Sequence, residues 1–241
     1  LVSAGALYSA LVPTPQTAQA ASDSPLVRQG EKVYNNTCIT CHGSNLQGVK
    51  DRGPSLVGVG SAAVYFQTET GRMPLARQEA QAEGKPPRLN EDEIEALSAY
   101  IQTTGGGPMK PEESNKQLAS GDSARGGQLF RLNCASCHNY TGRGGALSSG
   151  KYAPKLDDVT PRVIYSAMLS GPQNMPKFSE RQLTDQEKKD VIAYLKSVTD
   201  GKNNPGGLVL GGLGPVPEGM VAWIVGIGLL IGITLWIGAK A

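Results

Sequence analysis

Cys38-Ile39-Thr40-Cys41-His42 and Cys134-Ala135-Ser136-Cys137-His138 decide the reading of this 241-residue chain. Both are CxxCH, and together they use all four cysteines and both histidines of the sequence. That spacing is the attachment signature of haem c. Two thiols one turn apart form thioethers with the two haem vinyl groups, and the adjoining imidazole reaches the iron from the proximal side. Three rival uses of the cysteines fit less well. Two structural disulfides would not require a His after each pair. A zinc site needs four ligands converging on one ion, whereas these pairs lie far apart in the chain. A thioredoxin-like redox pair needs a βαβ surround that the sequence does not show. Cys38, Cys41, Cys134 and Cys137 are therefore expected to hold two covalent haem c groups.

Composition agrees. Only 39% of the residues are hydrophobic and only three are Phe, thin for a self-sufficient core. Small domains of this kind need a staple, here a cofactor. A net charge of +2 projects no strong field, and no nucleic acid is expected as a partner.

The surroundings of the two motifs repeat. Gly30 and Tyr34 precede the first as Gly126 and Phe130 precede the second. Pro54 and Leu56 answer to Pro154 and Leu156, and Tyr65 leads to Met73-Pro74 as Tyr165 leads to Met175-Pro176. Each half closes on a helical pattern, over 89–102 and 183–197. The starts Asn90-x-x-Glu93 and Thr184-x-x-Glu187 are capping boxes. Leu97 and Tyr100 share a face of the first of these helices, as Val191 and Tyr194 do on the second. Each half thus reads helix, CxxCH, Pro loop, short helix, Met-Pro loop, long helix. It resembles a class I cytochrome c domain, over 25–104 and again over 121–200. The resemblance implies that the first helix crosses the last, Gly30 and Tyr34 meeting Leu97 and Tyr100, and Gly126 and Phe130 meeting Val191 and Tyr194.

An iron that carries electrons without binding small molecules needs a second axial ligand beside His42 or His138. A thioether suits it, because soft sulfur favours the ferrous state. Met73 and Met175 occupy matching Met-Pro loops and are the expected ligands. Met168 lies in an apolar helical run and reads as core filling. Met109 stands in a linker, and Met220 opens an apolar tail. The other imidazole nitrogen needs an acceptor to fix the ring. The resemblance gives that role to the carbonyls of Pro54 and Pro154; plain turn formation is the other reading of these prolines.

From 220 to 237 the chain carries no charge, roughly 18 residues and about 27 Å of helix, with Trp223 and Trp236 near its ends. This reads as a transmembrane helix in lipid. Gly228 and Gly232 permit close packing on another helix or are simply tolerated. Lys240 follows the span and Glu218 precedes it, so the C-terminus is expected on the cytoplasmic side and the haem domains on the extracytoplasmic face of the cell membrane. The apolar start, 1–12, is either a signal remnant ending near Ala18-Gln19-Ala20 or the end of a trimmed membrane helix. The second is favoured here.

The expected fold is all-α: two tandem cytochrome c domains with a C-terminal transmembrane helix and a truncated N-terminal one. The divisions are 1–24 (anchor remnant and linker), 25–104 (first haem domain), 105–120 (linker), 121–200 (second haem domain), 201–217 (Gly/Pro linker) and 218–241 (transmembrane helix). In this architecture the whole chain resembles the dihaem cytochrome c subunit of the actinobacterial cytochrome bcc (menaquinol–cytochrome c reductase) complex. That resemblance implies single-electron transfer from a Rieske iron–sulfur protein to cytochrome c oxidase subunits, beside a cytochrome b. No histidine would remain to accept a quinol proton, so bond-making chemistry is expected on a partner and no catalytic residue here. A dihaem subunit of a cytochrome oxidase, or a free membrane-tethered shuttle, are the alternatives. A dihaem peroxidase would need an open iron site, against the paired Met-Pro loops.

Overall fold

The computed structural model describes residues 24–77, 79–200 and 215–240. The apolar start, with Ala18-Gln19-Ala20, and most of the Gly/Pro linker lie outside them. In chain order the helices are α1 Pro25–Thr37, α2 Ile39–His42, α3 Gly60–Glu69, α4 Glu91–Gly105, α5 Asn115–Leu118, α6 Ser123–Asn133, α7 Ala135–His138, α8 Pro161–Ser170, α9 Asp185–Thr199 and α10 Pro215–Gly238. Contacts divide the chain into two compact units. The first holds the described residues up to Glu113 together with Arg162–Gln182, and the second holds Ser114–Pro161 together with those from Leu183.

In the first unit α1 starts where the Ser24 side chain accepts from the Val27 N–H, with Pro25 in the first turn. Its Gly30 lies against α4 so closely that a Cβ there would sit 1.9 Å from the Ala96 carbonyl oxygen. Backbone-to-backbone approach of this kind needs glycine. One turn on, the Tyr34 and Tyr100 rings meet at 5.4 Å between centroids, tilted by 43°. Tyr34, Leu46, Val64, Leu97 and Ile101 form the core cluster.

The second unit repeats the crossing with α6 and α9. A Cβ on Gly126 would lie 1.8 Å from the Asp190 carbonyl oxygen, and the Phe130 and Tyr194 rings are again 5.4 Å apart. Charge is added here. Asp190, almost fully buried, accepts from the Asp122 N–H at 2.8 Å and from Gln186 at 2.9 Å. Lys188, fully buried, donates from Nζ to the Leu183 carbonyl at 2.7 Å.

Three features differ from the sequence expectation. The capping boxes form as read, but Asn90 and Thr184 are themselves extended caps, so α4 and α9 begin after them and run on to Gly105 and Thr199. The all-α class holds, with one small addition: Gly145–Ala146 (β1) and Tyr152–Ala153 (β2) pair antiparallel, with Gly145 opposite Ala153. Two-residue strands carry no period-2 signal to read. Third, Arg162–Gln182, which the repeat assigns to the second half, makes its contacts in the first unit. Arg162 donates to the Glu113 carbonyl at 3.0 Å, and Gln173 to the Ala82 carbonyl at 3.0 Å. Val163 to Met168 of α8 are all buried, which a helix covered on one face alone would not achieve.

Within helix α10 the span Val216–Gly238 is long and apolar enough to cross a membrane and is not buried against other described residues. The Lys240 ammonium sits 4.7 Å from the Trp236 ring centroid.

Replacing Gly126 by Ala forces two backbones apart and is expected to cost about 2–3 kcal/mol. Thermal melting of the holoprotein should show a Tm lower by roughly 10 °C for the affected domain; an unchanged Tm would disprove the close crossing.

Candidate haem-binding sites

Each CxxCH occupies a single tight turn hung from the end of a crossing helix. The Cys38 N–H donates to the Tyr34 carbonyl at 2.8 Å, and the N–H groups of Cys41 and His42 both donate to the Cys38 carbonyl, at 3.2 and 3.0 Å. In the second unit Cys134 is bonded to Phe130 at 2.8 Å, with Cys137 and His138 on the Cys134 carbonyl at 3.1 and 2.9 Å. One helical turn therefore presents two thiols and an imidazole together. The chain leaves each turn through a left-handed residue, Gly43 at φ 77° and Asn139 at φ 62°. Both pair this φ with an extended ψ, 162° and 161°, a combination that suits glycine and is strained for Asn139.

Each histidine ring meets a proline carbonyl on the loop that follows it. His42 Nδ1 lies 2.8 Å from the Pro54 carbonyl oxygen and His138 Nδ1 3.2 Å from that of Pro154. A carbonyl only accepts, so Nδ1 carries the proton and Nε2 keeps its lone pair for a metal. Burial holds His138 below the usual histidine range, with the Pro154 carbonyl acting in the opposite direction. The neutral imidazole that ligation requires is thus the form the site favours.

All four cysteines are free thiols, not disulfides. Burial, with a smaller contribution from Cys41, pushes the Cys38 thiol up to about 11; burial and Cys137 push Cys134 up to about 12. A thiol–disulfide exchange motif would show the opposite shift, a stabilised thiolate. Among the described residues no three of His, Cys, Asp and Glu gather as ligands for a bare ion.

In the first unit a cavity of about 690 Å³ is lined by Cys38, Cys41, His42, Pro54, Met73 and Leu97, within the range of sites that enclose a cofactor. Met73 is held there by its N–H, which donates to the Gln67 carbonyl at the end of α3 at 2.9 Å. Thiols, imidazole and thioether on one partly apolar cavity fit haem c. In the second unit Cys134, Cys137, His138 and Pro154 come together. Met175 follows α8 on a turn closed by its N–H to the Pro172 carbonyl at 3.0 Å, within the segment whose contacts belong to the first unit. The other methionines fall as read: Met168 is buried, while Met109 and Met220 are exposed.

Sequence reasoning did not single out Lys50, Asp51 and Arg52, which also line the first cavity. Their signal was three consecutive charges inside an otherwise uncharged loop, 43–54. It also left the Tyr34 and Tyr194 hydroxyls unassigned; these donate to the Gly43 and Tyr140 carbonyls, at 2.5 and 2.6 Å.

Comparison with known proteins agrees with this chemistry. Residues 27–105 match the family described as Cytochrome c, and residues 121–195 match Cytochrome C oxidase, cbb3-type, subunit III. The "Cytochrome bc1 complex cytochrome c subunit" of Mycobacterium tuberculosis is 56% identical, covering 100% of this chain and 88% of that protein. Its counterpart from Corynebacterium diphtheriae is 54% identical over 100% of this chain and 91% of its own length. A Cbb3-type cytochrome c oxidase subunit CcoP from Azospirillum is more distant, 26% identical over 72% of this chain. Two cytochrome c domains, mostly helical and followed by one long apolar helix, in a sequence more than half identical end to end, place the chain in the family of cytochrome bc1 complex cytochrome c subunits.

Proposed function

We propose that this subunit binds two haem c groups and relays single electrons from a Rieske iron–sulfur protein to a cytochrome oxidase, within a quinol-oxidising complex that also contains a cytochrome b. The observation that carries the reading is the convergence of Cys38, Cys41, His42 and Met73 on one cavity. When bound, haem c supplies reversible one-electron exchange at its iron. The chain's own part is to hold and tune that group. Cys38 and Cys41, then Cys134 and Cys137, form the covalent links. His42 with Met73, and His138 with Met175, are the axial pairs, and the Pro54 and Pro154 carbonyls fix the histidines. The domains run over 25–104 and 121–200. Likeness to mycobacterial and corynebacterial bc1 subunits supports the complex and its partners; the cbb3-type match over 121–195 supports contact with an oxidase only in kind.

Helix α10 anchors the subunit in lipid, with Lys240 cytoplasmic and both haem domains outside. Its apolar surface and the Trp223 and Trp236 side chains near its ends favour this placement. Quinol deprotonation falls to partner subunits, since both histidines are committed to iron.

A pyridine haemochrome assay on purified protein should return two haems per chain. Met73→Ala and Met175→Ala should each remove about half of the ferric absorption band that Met ligation produces, with the haem count unchanged; a full-strength band in either variant eliminates that ligand. Extraction in mild detergent should bring down a cytochrome b and oxidase subunits with this chain. Solitary recovery under those conditions would favour the free shuttle.

A further inference from the structure

In both units one tyrosine hydroxyl reaches the backbone just past the CxxCH turn, and it comes from opposite members of the helix pair. In the first unit the donor is Tyr34 on the first helix, α1, bonded to the carbonyl of Gly43, the residue after His42. Its counterpart Phe130 stands at the same place, four residues before the first cysteine of its motif, and has no hydroxyl. In the second unit the donor is Tyr194 on the last helix, α9, bonded to the carbonyl of Tyr140, two residues after His138. Tyr100, which matches Tyr194, turns its hydroxyl to Thr104 on its own helix.

The two latched loops have one scaffold. The Gly48 N–H donates to the His42 carbonyl at 2.8 Å, as Gly144 does to His138 at 3.0 Å. Leu56 closes on Leu46 at 2.7 Å, as Leu156 does on Gly142 at 2.9 Å. Each loop ends at the proline whose carbonyl accepts from the histidine Nδ1. The hydroxyl thus pins the start of the loop whose far end orients the imidazole. We propose that Tyr34 and Tyr194 are the positioning residues of the two haem-ligating histidines, the hydroxyl being supplied by the first helix in one unit and by the last helix in the other. The inference rests on the haem reading above.

Burial pushes the Tyr34 hydroxyl up to about 12, with Cys38 contributing less, so it stays a donor at any working pH. Donation from Nδ1–H to a carbonyl makes the imidazole a stronger electron donor and favours ferric iron. Loosening the loop weakens that bond and should raise the potential.

The test is a potentiometric titration of the full-length holoprotein. Tyr194→Phe is expected to move one of the two potentials upward. At fixed ambient potential, the ferrous-to-ferric ratio of that haem should rise about threefold, the size of one neutral hydrogen bond. Tyr34→Phe should move the other potential, and Tyr100→Phe neither. Adding Phe130→Tyr to Tyr194→Phe restores a hydroxyl from the opposite helix and should return the potential to its original value. Unmoved potentials in Tyr194→Phe, or no recovery in the double variant, overturn the proposal. Should Tyr194→Phe fail to accumulate, recovery in the double variant supports the latch. Failure of both, since Tyr194→Phe keeps the ring and loses only the hydroxyl, would show that the hydroxyl serves folding and not the position of the histidine, and would overturn the proposal. A haemochrome count below two in the unaltered protein would sink the haem reading itself, whereas two haems with unmoved potentials sink the latch alone.

Discussion

The contact of backbone with backbone where the first and last helices of each half cross is the constraint on which the haem sites depend. Gly30 on the Ala96 carbonyl and Gly126 on the Asp190 carbonyl leave no room for a side chain. That approach brings the aromatic one turn later against its partner, Tyr34 on Tyr100 and Phe130 on Tyr194. The same aromatic residue accepts the N–H of the first cysteine, so the CxxCH turn hangs directly from the crossing. A change of helix angle at the glycine would therefore be felt at the histidine that closes the CxxCH turn.

The two halves stabilise this shared geometry by different means. In the first, the position packed on the glycine is Ala96, and the neighbouring contacts are apolar: Leu97, Ile101 and Val64 around Tyr34. In the second, the matching position is Asp190, whose carboxylate accepts from the N–H of Asp122 and from Gln186, with the Arg125 guanidinium 3.7 Å away. A carboxylate so deeply buried is tolerated because its oxygens are satisfied, and removing one partner would leave a buried charge exposed to the full desolvation cost. The second half thus replaces part of an apolar core with a polar lock on the start of α6. With so few large apolar residues available, such a substitution keeps the crossing rigid without enlarging the core.

This difference explains what could and could not be read from the sequence. The CxxCH motifs, the capping boxes and the glycine–aromatic spacing depend on residues near one another in the chain, and each carries its own signal. The Pro54 and Pro154 carbonyls were legible only through the family likeness, because nothing local marks a proline as an acceptor. Burial of Lys188 and Asp190 was not legible, since charged residues on a helix normally face water. The grouping of Arg162–Gln182 with the first unit was equally hidden. Repetition of sequence specifies similar local structure in each copy, but long-range packing follows from which apolar faces need cover, and α8 is apolar nearly all round.

Core and site share one surface in the first unit. Leu97 belongs to the buried cluster and to the cavity wall, and Cys38 and Leu89 both line the cavity and pack on that cluster. Whatever the cavity holds therefore contributes apolar contact to the core and receives rigidity from it. A small domain with a thin core gains stability from a covalently held, largely apolar group in the way that small metal-binding domains gain it from their ion. A group filling that cavity would in turn support the crossing that positions the thiols. In the first unit the side chains that hold the crossing together are thus also side chains that wall the cavity, so core and site cannot be altered independently.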